Sequence, residues 1–138
     1  MQVAVVERTD ERVVLSAPLA PNVNLHDTAF GGSIATLATL AAWTLVGTFL
    51  EDRKIEASIV VRRNSVDFLA PVRSAFIAQT EPVADEDWAR FESILTRRGL
   101  ARVKVQATVQ CEGELCARFK GEFVAIGANY RVATPSRS

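Results

Sequence analysis

The last third of the chain alternates. Ala101, Val103, Val105, Ala107 and Val109 take turns with Arg102, Lys104, Gln106, Thr108 and Gln110. After "EGE", Leu115, Ala117, Phe119 and Phe123 take turns with Arg118, Lys120 and Glu122. A period of two puts apolar side chains on one face of a strand and polar ones on the other. Two such runs around a Gly-containing turn predict an antiparallel hairpin with one dry and one wet face. Upstream, "ASIVVRRNSVDFLAPV" predicts a strand that stops at Pro71, and "SAFIAQTEPV" predicts another. "VAVVER" and "RVVLSAPL", broken by the polar "RTDE", predict one strand or two short ones.

Two segments follow a helical period instead. In "ADEDWARFESILTRRG", Trp88, Phe91 and Leu95 share a face, acids crowd the first turn, and Arg97 and Arg98 close the last. Asp85 is the expected N-cap and Gly99 the expected stop. The other segment runs from Ala29 to Leu50 with no charged residue, carries Gly31-Gly32 near its front, and ends at Glu51, Asp52 and Arg53. A run of about 20 residues can cross a bilayer. Ser33, Thr36, Thr39, Thr44 and Thr48 interrupt this one, and much of the rest is alanine and glycine, which gain little in lipid. Half-wet strands also need a cover for their dry face, so the segment is expected to be a core helix. A helix apolar on every side must be covered on every side. One curved sheet wraps most of it, and a second copy of the chain is expected to cover the remainder.

The order is therefore strand or strands, long helix, strand, strand, short helix, strand, strand: an α+β layout with an antiparallel sheet. "APNVNLHDT", rich in Pro, Asn and Asp, makes turns before the long helix, and the tail from about residue 128 is expected to be loose. A chain of 138 residues suits a single domain over 1–138. With 49% apolar and 23% charged residues it is no disordered segment. Sixteen basic residues cancel sixteen acidic ones, which argues against a nucleic-acid partner. The N-terminus has no basic stretch followed by an apolar one, so no signal peptide is expected, and the expected location is the cytoplasm. Cys111 and Cys116 flank the turn "EGEL" and are expected to be reduced core residues. With one histidine and no ligand spacing, no metal site is expected.

A helix start offers unpaired N–H groups and the positive end of the macrodipole. Glycines there let a ligand come close to the backbone. On these grounds alone Gly31 and Gly32 serve either as an anion-stabilising site or as a tight packing point.

Strand, long uncharged helix opening at Gly-Gly, then four strands resembles the hotdog fold, a curved antiparallel sheet wrapped round one long central helix. More narrowly, "PLAPNVNLHDTAFGGSIATLATLAAWTLVG", "VDFLAPV" and "ARVKVQATVQCEGELCARFKGEFVAI" resemble the YiiD C-terminal-type thioesterases, a bacterial hotdog family, over Val13 to Ile126. The resemblance implies an acyl-thioester hydrolase with the thioester carbonyl held by the N–H groups of Gly31 and Gly32. It implies no cofactor beyond the coenzyme A of the substrate. The partners implied are acyl-CoA or an acyl carrier protein and a second copy, as a homodimer or dimer of dimers, without membrane. Some relatives work beside an acetyltransferase.

Related phenylacetate-pathway enzymes carry Asn-x-x-Gly-x-x-His-Gly-Gly and then an acid on the helix. Laid over this chain, Asn24 matches the Asn, and Gly31 and Gly32 match the glycines. Asp27 stands at the first Gly, Phe30 at the His, and Thr39 at the acid. A threonine can hold a water but cannot take its proton at neutral pH. Asp27 is then the nearest replacement carboxylate, as base or as helix cap. Asn24 and Thr39 are candidates to hold the water. His26, Phe30 and Ser33 are candidate substrate contacts beside them, and Asn64, Ser65 and Asp67 candidate contacts from the neighbouring subunit. Arg62, Arg63, Arg97, Arg98 and Arg102 are candidates for coenzyme A phosphates. Leu37, Leu40 and Trp43 line an acyl tunnel or are plain core. Two other readings stay open: an acyl-thioester binding protein without catalysis, and a hydratase or dehydratase relying on His26 with Asp27.

Overall fold

The computed structural model describes residues 1–22, 29, 31–128 and 130. Asn24, His26, Asp27 and Phe30 lie outside the described residues, as does most of the tail from residue 128 onward. The elements are β1 (Ala4–Arg8), β2 (Val13–Ala17), a 3-10 turn (Ala20–Asn22), α1 (Gly31–Asp52), β3 (Ala57–Phe68), β4 (Phe76–Thr80), α2 (Asp85–Arg98), β5 (Leu100–Cys111) and β6 (Glu114–Gly127). Six strands form one antiparallel sheet in the order β1-β2-β4-β5-β6-β3. The N-terminal pattern resolves as two strands, since Thr9 turns the chain by bonding back to Arg12.

The alternation of β5 and β6 holds except beside the turn, where a register shift between Val109 and Gln110 buries Cys116 and leaves Leu115 half-buried opposite Gln110. Ala101, Val103, Val105, Ala107, Val109, Phe119, Phe123 and Ala125 are buried, while Arg102, Lys104, Gln106, Arg118 and Lys120 are exposed. Glu112 (φ 50°) and Gly113 (φ 78°) make the turn, and two successive left-handed residues are what a tight right-twisted hairpin needs. Gly121 serves another purpose. A Cβ there would fall 2.7 Å from the Phe119 ring and 2.9 Å from Phe123, so two phenylalanines close over the space a side chain would take. Gly121→Ala is expected to lower stability by about 1–3 kcal/mol. The check is a lower urea midpoint at an unchanged slope.

α1 lies across the dry face and packs against β2, β3, β4, β5 and β6. By length and composition it could span a membrane, but Leu37, Ala38, Ala41, Ala42, Leu45 and Val46 are fully enclosed by the fold. Within one chain the sheet leaves part of the helix uncovered. Gly32, Thr36, Leu40 and Trp43 are exposed, a stripe at spacings of four, four and three that faces away from the sheet's core.

α2 forms where expected, with Trp88, Phe91 and Leu95 buried, and packs against β5. Its cap differs from expectation. Ala84 is the N-cap and makes no side-chain cap bond, whereas Asp85 is the first helical residue. Asp85, Glu86 and Asp87 act through the helix dipole along the whole first turn. Gly99 stops the helix in the left-handed region (φ 76°), its N–H bonded to the Leu95 carbonyl. Cys111 and Cys116 are buried free thiols. Burial pushes the Cys116 thiol up, with Cys111 and Glu114 nearby acting in the same direction.

Candidate active site at the start of the long helix

α1 opens at Gly31 with no acidic residue in its first turn. Gly31 and Gly32 are both exposed, and Ser33 behind them is half-buried. Among the described residues, nothing lies within 4 Å of where a Cβ on Gly32 would sit. Gly31 is flanked on one side, where its Cβ would touch the Phe68 ring at 3.4 Å. The approach to the helix is tied down by the Ala29 N–H, which donates to the buried Val72 carbonyl at 2.9 Å. Asn22, almost fully buried, donates to the Pro18 carbonyl at 2.8 Å and holds the preceding turn. The N–H groups at the positive end of a 22-residue helix that begins with two exposed glycines can stabilise a developing oxyanion.

Phe68 was not singled out among the site residues from sequence. It ends β3, and its ring is brought to Gly31 because β3 runs antiparallel to α1, with Ile59 beside Gly47 at the far end and Phe68 beside Gly31 at the near end. Phe68 is exposed at the helix start, Leu69 after it is exposed as well, and both lie within "FLAPV".

The other candidates fall in different places. Thr39 is half-buried, and its hydroxyl donates to the Ala35 carbonyl at 2.7 Å, leaving only its lone pairs for a water. It stands eight residues after Gly31, about 12 Å along the axis. A small group bound at the Gly31 amide is therefore out of reach of the same chain's Thr39. On β3 a bulge between Val61 and Arg63 sets the faces. Asn64, opposite Gly121, points to the α1 side, while Arg63, Ser65 and Asp67, opposite Glu122, Lys120 and Arg118, point to the outer side. Arg62 donates to Glu122 at 2.5 Å, and Arg102 lies 3.8 Å from the same carboxylate. The Arg62 hydrogen bond, helped by the charges of Arg102 and Arg63, holds the Glu122 carboxyl below the usual carboxylate range. Arg97 and Arg98 end α2 and are exposed. Leu37 is core, so of the three tunnel candidates only Leu40 and Trp43 border open space. Trp43 is fixed there by its indole N–H, which donates to the Ile59 carbonyl at 3.1 Å.

The family model described as Putative thioesterase (yiiD_Cterm) matches residues 1–127. The chain belongs to this thioesterase family. A protein from Shewanella oneidensis, described as a putative thioesterase, is 38% identical with a TM-score of 0.81, over 91% of this chain and 85% of its own. A protein of unknown function from Chlorobaculum tepidum is 26% identical with a TM-score of 0.87, over 92% and 83%. A thioesterase from Haemophilus influenzae shares the fold, with 16% identity and a TM-score of 0.72 over 94% and 81%. The fold is thus the hotdog, and its function is of thioesterase type.

Proposed function

We propose that this member of the thioesterase family hydrolyses acyl thioesters of coenzyme A or of an acyl carrier protein, with the reacting carbonyl at the start of α1. The observation that carries the reading is the exposed Gly31-Gly32 pair at the start of α1, in a first turn that holds no acid. A water held by Asn24 attacks the carbonyl carbon and gives its proton to Asp27, directly or through a second water. The carbonyl oxygen becomes an oxyanion that accepts from the Gly31 and Gly32 N–H groups. One such donor is worth about 3–4 kcal/mol in the transition state. Collapse breaks the C–S bond, and the leaving thiolate takes the proton from Asp27. The acyl chain runs beside α1 past Leu40 and Trp43.

A second copy completes this site. β3 is a 12-residue edge strand. Val60, Val61, Phe68 and Leu69 on and after it are exposed, Val61 and Phe68 on the α1 side, where Leu40 and Trp43 are exposed too. A long apolar edge of this kind pairs with another chain unless it is protected. A two-fold axis brings identical edges together, and with it the partner's α1. That arrangement answers the distance problem at Thr39, whose lone pairs serve the carbonyl site of the other copy. Wild-type protein is expected to have the mass of two chains or four in analytical ultracentrifugation, and Val61→Arg that of one. A monomeric wild type would remove the shared site.

The deciding test is a panel of acyl-CoA thioesters from acetyl to palmitoyl, with aromatic ones, followed by release of free thiol. Chain-length-dependent release supports hydrolysis. Tight binding without release on any member would instead favour an acyl-thioester binding protein. Hydration of an enoyl-CoA that disappears in His26→Ala would favour the hydratase reading.

A further inference from the structure

The outer face of the sheet, away from α1, carries a second concentration of chemistry. Register places two rows of three side chains across β3, β6 and β5: Ser65, Lys120 and Gln106 in one, Arg63, Glu122 and Lys104 in the next. Neighbours within a row are about 5 Å apart, and the rows are about 7 Å apart. Between the rows the inward-pointing Asn64, Gly121 and Val105 leave only backbone as a floor. The result is a depression of about 280 Å³ lined by these nine residues.

Its charge is unbalanced. Glu122 is the only carboxylate in the lining, its side chain is only 12% exposed, and it is already engaged by Arg62 and Arg102. Among the described residues, Arg63, Lys104 and Lys120 take part in no ion pair. Three cations sharing one shallow cradle repel one another unless an anion joins them. The chain as a whole carries no net charge, so this is a segregated cluster and no by-product of a basic protein. Ser65 and Gln106 add neutral donors at the opposite corners. Cations that line one depression with hydroxyl and amide donors match a doubly charged oxyanion with several acceptor oxygens.

We infer that this cradle is a phosphate site, taking a phosphomonoester or pyrophosphate group against Arg63, Lys104 and Lys120. Two sources carry that chemistry: the phosphorylated end of coenzyme A, or a free phosphate compound acting apart from the thioester. The coenzyme A source rests on the acyl-thioester reading above, and the site itself does not.

The experiment is calorimetric titration of the full chain with inorganic pyrophosphate, coenzyme A and dephospho-coenzyme A, for wild type and Lys104→Gln/Lys120→Gln, with circular dichroism as the check on folding. Both lysines are exposed, so the fold is expected to persist. Pyrophosphate is expected to bind wild type and to bind the double variant about tenfold more weakly or worse. Binding should also weaken with added salt. Coenzyme A binding that falls in the variant and competes with pyrophosphate assigns the site to the carrier end of the substrate. Pyrophosphate binding lost in the variant with coenzyme A unaffected assigns it to a separate phosphate compound. No pyrophosphate binding, or binding the variant leaves unchanged, overturns the proposal, and an acidic carrier protein that alone binds this face would do the same. Wild-type turnover of an acyl-N-acetylcysteamine thioester, which has no phosphate, tests the helix-start reading separately.

Discussion

Asp27→Ala is expected to lower kcat for acyl-CoA hydrolysis about a hundredfold or more while the protein stays folded. The expectation follows from an inventory of bases. α1 has no acid in its first turn, and its only carboxylates, Glu51 and Asp52, close its far end. Thr39, at the position where related enzymes carry the acid, spends its hydroxyl proton on the Ala35 carbonyl and cannot take one from water. Asp67 is close in sequence to Phe68 but points to the outer face opposite Arg118. Asp27, four residues before Gly31 in the sequence, is the nearest carboxylate preceding the helix and the base of the proposed mechanism. The amides of Gly31 and Gly32 remain in the variant, so binding should survive: KM changes little and kcat falls. That split separates a base from a helix cap, whose loss would lower stability by about 1 kcal/mol and leave the chemistry largely intact. Near wild-type turnover would exclude Asp27 as the base.

How much of this was legible in the sequence depended on how far apart the partners stand in the chain. The β5–β6 hairpin was plain because alternation and turn are local signals. The long helix was plain because a charge-free run inside half-wet strands has few other places to go. Asp85 was misread as a cap because three successive acids satisfy the helix dipole equally well at N1 to N3. Phe68 was missed because its contact with Gly31 spans 37 residues and depends on β3 running antiparallel to α1. The phosphate cradle was hidden by a single residue. Unbroken alternation from Val61, which faces α1 opposite Phe123, would send Arg63 and Ser65 to that same side. The bulge at Arg62 reverses them, so Arg63 and Ser65 reach the outer face and Asn64 turns inward. No periodicity announces where a bulge falls.

Phe49→Ala is expected to produce the largest loss of stability, about 3–5 kcal/mol, a large part of the 5–15 kcal/mol typical of a domain. Phe49 is 1% exposed and sits near the end of α1. Its ring stacks on Trp88 with centroids 4.1 Å apart and planes 9° from parallel, and Phe91 tilts against it at 6.0 Å. The Arg53 guanidinium covers the ring at 3.7 Å and reaches Glu92 at 3.1 Å and Asp10 at 3.7 Å. Phe49 and Arg53 together thus join α1, α2 and the β1–β2 turn. Alanine would remove both aromatic contacts and open a cavity at the α1–α2 junction. Phe49→Leu fills most of that space and is expected to lose mainly the stacking, about 0.5–1.5 kcal/mol. Both are read from urea unfolding at unchanged slope, which keeps the comparison on the folded state. The position has a functional consequence as well. The start of α1 can present bare backbone to a ligand only if something else fixes the helix, and Phe49 fixes it at the opposite end. Phe49→Leu, still folded, should therefore keep its acyl-CoA turnover, whereas a loss of turnover out of proportion to stability would mean that the junction also sets the position of Gly31 and Gly32.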